Sequence, residues 1–156
     1  MADLRQFCTF FLDDRFFGVD VEKVQEVIRY QVITPVPLAP PVVRGLINLR
    51  GQIVTAVDLR RLLHVEDRQD GRLPINIVFQ TWQGIFSLLV DRIGDVLEVD
   101  QSTFERPPDT LEGVAREVIQ GTYKLQGRLL LMLNVEKLFS PAILNRQRHS
   151  AKPQNP

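Results

Sequence analysis

The chain carries its own pattern twice. Residues 21–28 (VEKVQEVI) recur as residues 90–97 (VDRIGDVL), offset by 69, in the order apolar, acid, base, apolar, any, acid, apolar, apolar. Residues 45–63 (GLINLRGQIVTAVDLRRLL) recur as residues 121–139 (GTYKLQGRLLLMLNVEKLF), offset by 76 without a gap, with Gly45/Gly121, Leu49/Leu125, Gly51/Gly127 and Leu62/Leu138 identical. Between the matching blocks each copy has a proline cluster, Pro35, Pro37, Pro40 and Pro41 in the first and Pro107 and Pro108 in the second. Matching blocks in matching order mark an internal duplication, which constrains a fold more than any local propensity. Two halves of about 70 residues are each marginal alone, so they are expected to share a core. A position that one copy changes is then a candidate for function.

Composition narrows the partners. A chain of 156 residues buries about 68–70% of its unfolded surface, enough for a core without disulfides or metals. Nineteen basic side chains balance nineteen acidic ones, so no net field favours nucleic acid or an anionic membrane. One cysteine, Cys8, between Phe7 and Phe10, excludes an internal disulfide framework, suits a reducing compartment and reads as a buried thiol. The N-terminus lacks a basic region followed by an apolar run, and the longest apolar runs are only strand-length. A soluble, cytoplasmic protein is expected.

Short strands dominate the chain. Residues 7–12 and 16–19 predict a hairpin turning at Asp13-Asp14. Val21, Val24 and Ile28 recur at helical spacing and predict a two-turn helix capped by Asp20. The proline-rich residues 32–43 predict an edge or loop. Residues 45–48 and 52–59 predict a second hairpin, with Gly51 supplying a positive φ. A helical turn over 58–63 and a polar linker over 64–74 complete the first half. The second half predicts strands over 75–79, 84–90 and 96–99, a loop over 106–113, a hairpin over 118–125 and 128–135, and a helix over 136–144. Residues 145–156 have almost no apolar content and predict a disordered tail. The expected fold is mainly β, two small barrels or curled sheets with short helices.

Catalytic constellations are not visible. The two histidines, His64 and His149, fall in the linker and the tail, and no GxxxxGK[ST], GxSxG, HExxH or CxxC occurs. No cofactor or metal is expected. Asp58 and Glu26 are the acids to consider, with Asp58 reading most simply as a cap after a strand. A single-strand binder built on small barrels needs a basic groove and stacking aromatics; four lysines, one tryptophan and zero net charge argue against it.

The copies differ at a few polar positions. Arg50 stands opposite Gln126, Asp58 opposite Asn134, and Glu26 opposite Asp95. The first copy can therefore pair Glu26 with Arg50, whereas the second has lost the guanidinium. Closeness of Glu26 and Arg50 is expected. Arg50 also reads as an ordinary exposed turn residue, although arginine is enriched among interface anchors.

Residues 45–60, with the run GLINLRG followed by a strand closing in Asp58-Leu59-Arg60, resemble the CheW family of chemotaxis coupling proteins. Further matches lie at residues 16–27, at Thr34-Pro35-Val36-Pro37, at residues 88–97 and at residues 131–138. The resemblance spans residues 7–139. It implies one CheW-like domain of two intertwined five-stranded barrels (approximate halves 7–63 and 75–139) with strands exchanged between them. It implies no catalysis and two partners, the cytoplasmic tip of a methyl-accepting chemoreceptor and the regulatory domain of a CheA-type histidine kinase, met near the membrane but without insertion. Val24, Glu26 and Gly45 match the family's receptor-coupling positions, and Arg50 matches the arginine of its conserved motif. Val24 also reads as plain core. Thr55-Ala56 departs from the family's proline there. The same adaptor role in a pilus- or phototaxis-type pathway is the alternative the resemblance allows.

Overall fold

The computed structural model describes residues 3–150, with side chains to residue 146. Strands β1 (Leu4–Leu12) and β2 (Arg15–Asp20) form the first hairpin, with Asp13 at φ 53° in the turn. A single 3-10 turn, Val21–Lys23, follows, and Asp20 caps it by accepting the Glu22 N–H at 3.1 Å. The predicted two-turn helix stops there: residues 24–28 are strand β3 (Val24–Ile28). Three of those five residues are β-branched, which favours strand, and β6 offers a ladder with Val24 opposite Phe79 and Glu26 opposite Val78. The proline arm then crosses β4 (Val43–Leu49), with Thr34 and Leu46 exchanging two backbone hydrogen bonds of 2.8 Å. Strand β5 (Gln52–Asp58) and helix α1 (Leu59–Leu62) end the first copy.

Residues 65–74 form no strand or helix. The second copy runs through β6 (Ile75–Thr81), β7 (Gly84–Val90), β8 (Arg92–Asp100), the short β9 (Phe104–Glu105), α2 (Gly113–Val118), β10 (Ile119–Leu125), β11 (Arg128–Leu133), α3 (Val135–Leu138) and α4 (Pro141–Ser150). Helix α2 was not anticipated. The predicted helix over 136–144 is two helices broken at Phe139-Ser140. Ser140 Oγ accepts the Ile143 N–H at 3.3 Å, and Pro141, lacking an N–H, fits the first helical position. The predicted tail is helical through Ser150, while residues 151–156 lie outside those described.

The strand order shows how the copies interlock. One sheet runs β8-β1-β2-β11-β10-β9 and the other β3-β6-β7-β5-β4. The opening hairpin of each copy, β1-β2 or β6-β7, is thus built into the sheet of the other copy. The first sheet gains a sixth strand in two-residue β9. The duplication survives in atomic detail. Asp58 and Asn134 each cap a four-residue helix, accepting from Arg61 N at 3.2 Å and Lys137 N at 3.1 Å. Their own N–H groups donate to Val42 O and Val118 O, both at 2.8 Å. Gly45 and Gly121 each sit at a register shift in their hairpins.

Burial explains the continuous apolar runs. Phe10, Leu12, Phe17 and Val19 face a large core shared with Phe79, Leu88, Leu133 and Leu138. Their alternating neighbours Phe7, Phe11 and Phe16 face an inner core with Leu130 and Met132. Ile47, Leu49, Val54 and Leu89 fill the equivalent interior of the other sheet. Strands covered on both faces read as unbroken hydrophobic stretches rather than alternating ones.

Candidate partner-binding site

The β4–β5 turn is built by four residues acting together. Leu49 anchors it in the inner core. Asn48 Oδ1 accepts the Gly51 N–H at 3.0 Å. Arg50 and Gly51 then adopt φ 51° and 84°, two successive left-handed residues, the signature of a tight hairpin turn whose twist matches its strands. Such a turn favours Asn and Gly, and an L-residue there costs about 1–2 kcal/mol. In the second copy only Gly127 has positive φ, not Gln126. The arginine and its strained backbone belong to the first copy alone.

Arg50 Nη2 donates to Glu26 Oε2 on β3. The hydrogen bond from Arg50 leads the effects that hold the Glu26 carboxyl below its ordinary range, against a smaller opposing effect of desolvation. Gln25 Nε2 adds a long contact of 3.4 Å. Glu26 is half-buried, whereas 66% of the Arg50 side chain remains exposed, so the pair fixes the arginine without sequestering it. The other two expected site residues lie differently. Val24 is half-buried and packs on the shared core. Gly45 is buried at φ 146°, and a Cβ there would strike the carbonyl of Thr34. Gly45 therefore seats the proline arm on β4 and presents no surface of its own.

The sequence profile of the CheW-like domain matches residues 6–142. The chain belongs to the CheW-like domain family. It is 30% identical to the chemotaxis protein CheW of Treponema pallidum over 139 residues, covering 86% of this chain and 82% of that protein. It is 28% identical to protein FrzA of Myxococcus xanthus over 151 residues, covering 95% of this chain and 91% of that one. The crystal structure of the scaffolding protein TtCheW from Thermoanaerobacter tengcongensis superposes with a TM-score of 0.75 at 25% identity, covering 86% of this chain and 90% of that chain. The CheW-like fold expected from the sequence is thus the fold observed.

Within that CheW-like frame, apolar side chains are exposed at the end of the sheet where the Arg50 turn lies. Val24 opposite Phe79, Thr55 opposite Phe86 and Thr81 opposite Gly84 bring the starts of β3 and β5 and the β6–β7 turn to one end of the sheet. That end exposes Ile53 (60%) and Trp82 (83%). Neither Trp82 nor Ile53 was singled out in the sequence. A tryptophan in a hairpin turn, between two strands already needed for the core, was the signal available.

A second polar cluster also escaped sequence reading. Arg60, buried in the first turn of α1, donates from Nε and Nη2 to both carboxylate oxygens of Asp91 at 2.9 and 2.6 Å, and from Nη2 to Asp13. Its Nη1 meets the Glu66 carbonyl at 2.5 Å. Burial opposes ionisation of Asp91, but the Arg60 hydrogen bonds, the Asp13 N–H and the charges of Arg60 and Arg68 outweigh it, leaving the carboxyl below its usual range. The Asp91 hydrogen bonds likewise raise Arg60 above its ordinary value. This clamp ties α1, the β1–β2 turn and the β7–β8 junction together.

Proposed function

We propose that this chain is a non-catalytic scaffold that couples the cytoplasmic tips of methyl-accepting chemoreceptors to a CheA-type histidine kinase. The observation that carries the reading is the Glu26–Arg50 pair, an exposed guanidinium aimed by an acid and a strained turn, in a fold of the CheW-like family. Arg50 would offer its free N–H donors to the receptor, with Val24 and Glu26 shaping the adjoining strand. Ile53 and Trp82 supply apolar area of the kind that accompanies a charged anchor in a partner interface. Gly45 contributes by holding the proline arm in place. The duplicated plan gives two related ends, one for each partner, and weak contacts at both gain strength when many copies assemble together.

The test is reconstitution of a receptor signalling fragment and the kinase with and without this chain. Kinase activation and co-sedimentation should both depend on it, and Arg50→Ala should abolish coupling in a protein that remains folded. Kinase activity indifferent to the chain, with no co-sedimentation, would sink the scaffold reading.

A further inference from the structure

The end of the other sheet carries a different solution. The hairpins correspond by the same offset of 69, since Phe10 opposite Phe17 and Phe79 opposite Phe86 occupy matching registers. Phe11 and Phe16 thereby match Gln80 and Ile85, Arg92 matches Lys23, and by the offset of 76 Arg128 matches Gln52. Where the sheet of β3, β4 and β5 carries Gln80 and Ile85, the sheet of β8, β10 and β11 carries two rings stacked with centroids 4.8 Å apart. Arg92 Cζ lies 3.7 Å from the Phe11 centroid, and Arg128 Cζ lies 4.1 Å from that of Phe16. Strand register explains the placement: Arg92 is directly opposite Phe11 on β8, and Arg128 begins β11 two residues before Leu130, the partner of Phe16. Both arginines are exposed, and neither forms an ion pair with any acid among the described residues. Arg5, Arg15, Arg44 and Arg72 each do.

We propose that the Arg92–Arg128 pair, held on the Phe11–Phe16 platform, is a docking site for an acidic peptide segment of a partner protein. A guanidinium over a ring is held by its charge, and its N–H donors remain available for a carboxylate fork. Pre-positioning by the rings reduces the ordering that binding would otherwise require. The adjoining cleft of about 270 Å³, walled by Ile93, Gly94 and Leu97, has room for a side chain or two. Asp95 also borders it and repels a dianion more than a single carboxylate. With a net charge of zero, the chain has no field to gather a polyanion. A carboxylate-bearing peptide therefore fits better than nucleic acid or phosphate. The site stands apart from the Glu26–Arg50 surface and requires neither receptor nor kinase for its test.

The experiment titrates capped peptides into the full-length, isotope-labelled chain and follows backbone amide resonances. One peptide carries two glutamates separated by one residue, which places both on one side of an extended strand; its control carries glutamines, and inorganic phosphate is a third arm. Saturable shifts confined to the neighbourhood of Phe11, Arg92, Gly94 and Arg128 are expected with the glutamate peptide only. Arg92→Gln/Arg128→Gln should weaken that binding by about tenfold or more. Arg92→Lys/Arg128→Lys, which keeps the charges and covers the rings, should weaken it less but measurably, because the fork is lost. Absence of saturation in the wild-type chain, equal response to the glutamine peptide or to phosphate, or unchanged binding in both double variants would overturn the proposal.

Discussion

Arg50 sits in a backbone region where glycine would be more comfortable, and this separates its structural from its functional contribution. Arg50→Gly removes the strain of a left-handed L-residue but raises the entropy of the unfolded chain, and the two effects are of similar size, about 1 kcal/mol each. The variant should therefore unfold within a few degrees of wild type while losing receptor coupling. A large fall in melting temperature would mean that Arg50 serves the fold. Glu26→Ala should impair coupling through Arg50, so the effects of the single and double changes on coupling should be strongly non-additive. The sequence revealed this pair because the copies disagree there, Arg50 against Gln126. It did not reveal the pair's strain, because a φ of 51° at Arg50 depends on which turn closes β4 onto β5.

At the level of elements, the Arg60 clamp joins parts that are distant in sequence, α1, the β1–β2 turn and the β7–β8 junction. Removing one partner of a buried ion pair strands the other, which costs about 3–5 kcal/mol. Arg60→Ala should lower stability by that amount in urea unfolding, whereas Arg60→Met/Asp91→Leu should recover most of the loss. The pH dependence follows from the lowered Asp91 carboxyl. A folded-state value below the unfolded one contributes stability that is complete above about pH 4 and disappears as pH falls through the folded value. Wild-type stability should thus drop more steeply on acidification than that of Asp91→Asn, measured as urea midpoints across that range; parallel profiles would show that the clamp is not the acid-sensitive element. The clamp was illegible because a buried arginine and an exposed one look alike in a sequence. Strand β3 was misread for a related reason. Val21, Val24 and Ile28 fit a helical period, but the ladder with β6 comes from the other copy, and only tertiary pairing decides between the two. The two Gly-turned hairpins, by contrast, carry their turn chemistry locally, at Gly51 and Gly127, and were legible at once.

For the whole molecule, exchange of the opening hairpins means that neither copy owns a complete sheet. Without β6 and β7, the first copy leaves β3 unpaired with the β4–β5 hairpin. Without β1 and β2, the second leaves β8 cut off from β11. The largest core draws on both copies, Phe10 and Leu59 from one, Phe79 and Leu138 from the other. A chain divided after Gly71, in the exposed stretch between the copies, should therefore yield two fragments that are separately unfolded. Mixed, they should assemble into one particle, because every inter-copy contact remains and only the covalent connection is gone. The assembly should unfold in a single transition whose midpoint rises with fragment concentration, as linkage requires when association stabilises the folded state. Far-ultraviolet circular dichroism and amide resonance dispersion of each fragment alone, then of the mixture, provide the measurement. An isolated fragment with dispersed resonances and its own cooperative unfolding would mean that each copy folds independently. The two ends could then move apart from one another, and the rigid spacing on which a two-partner scaffold depends would have to come from somewhere other than the shared core.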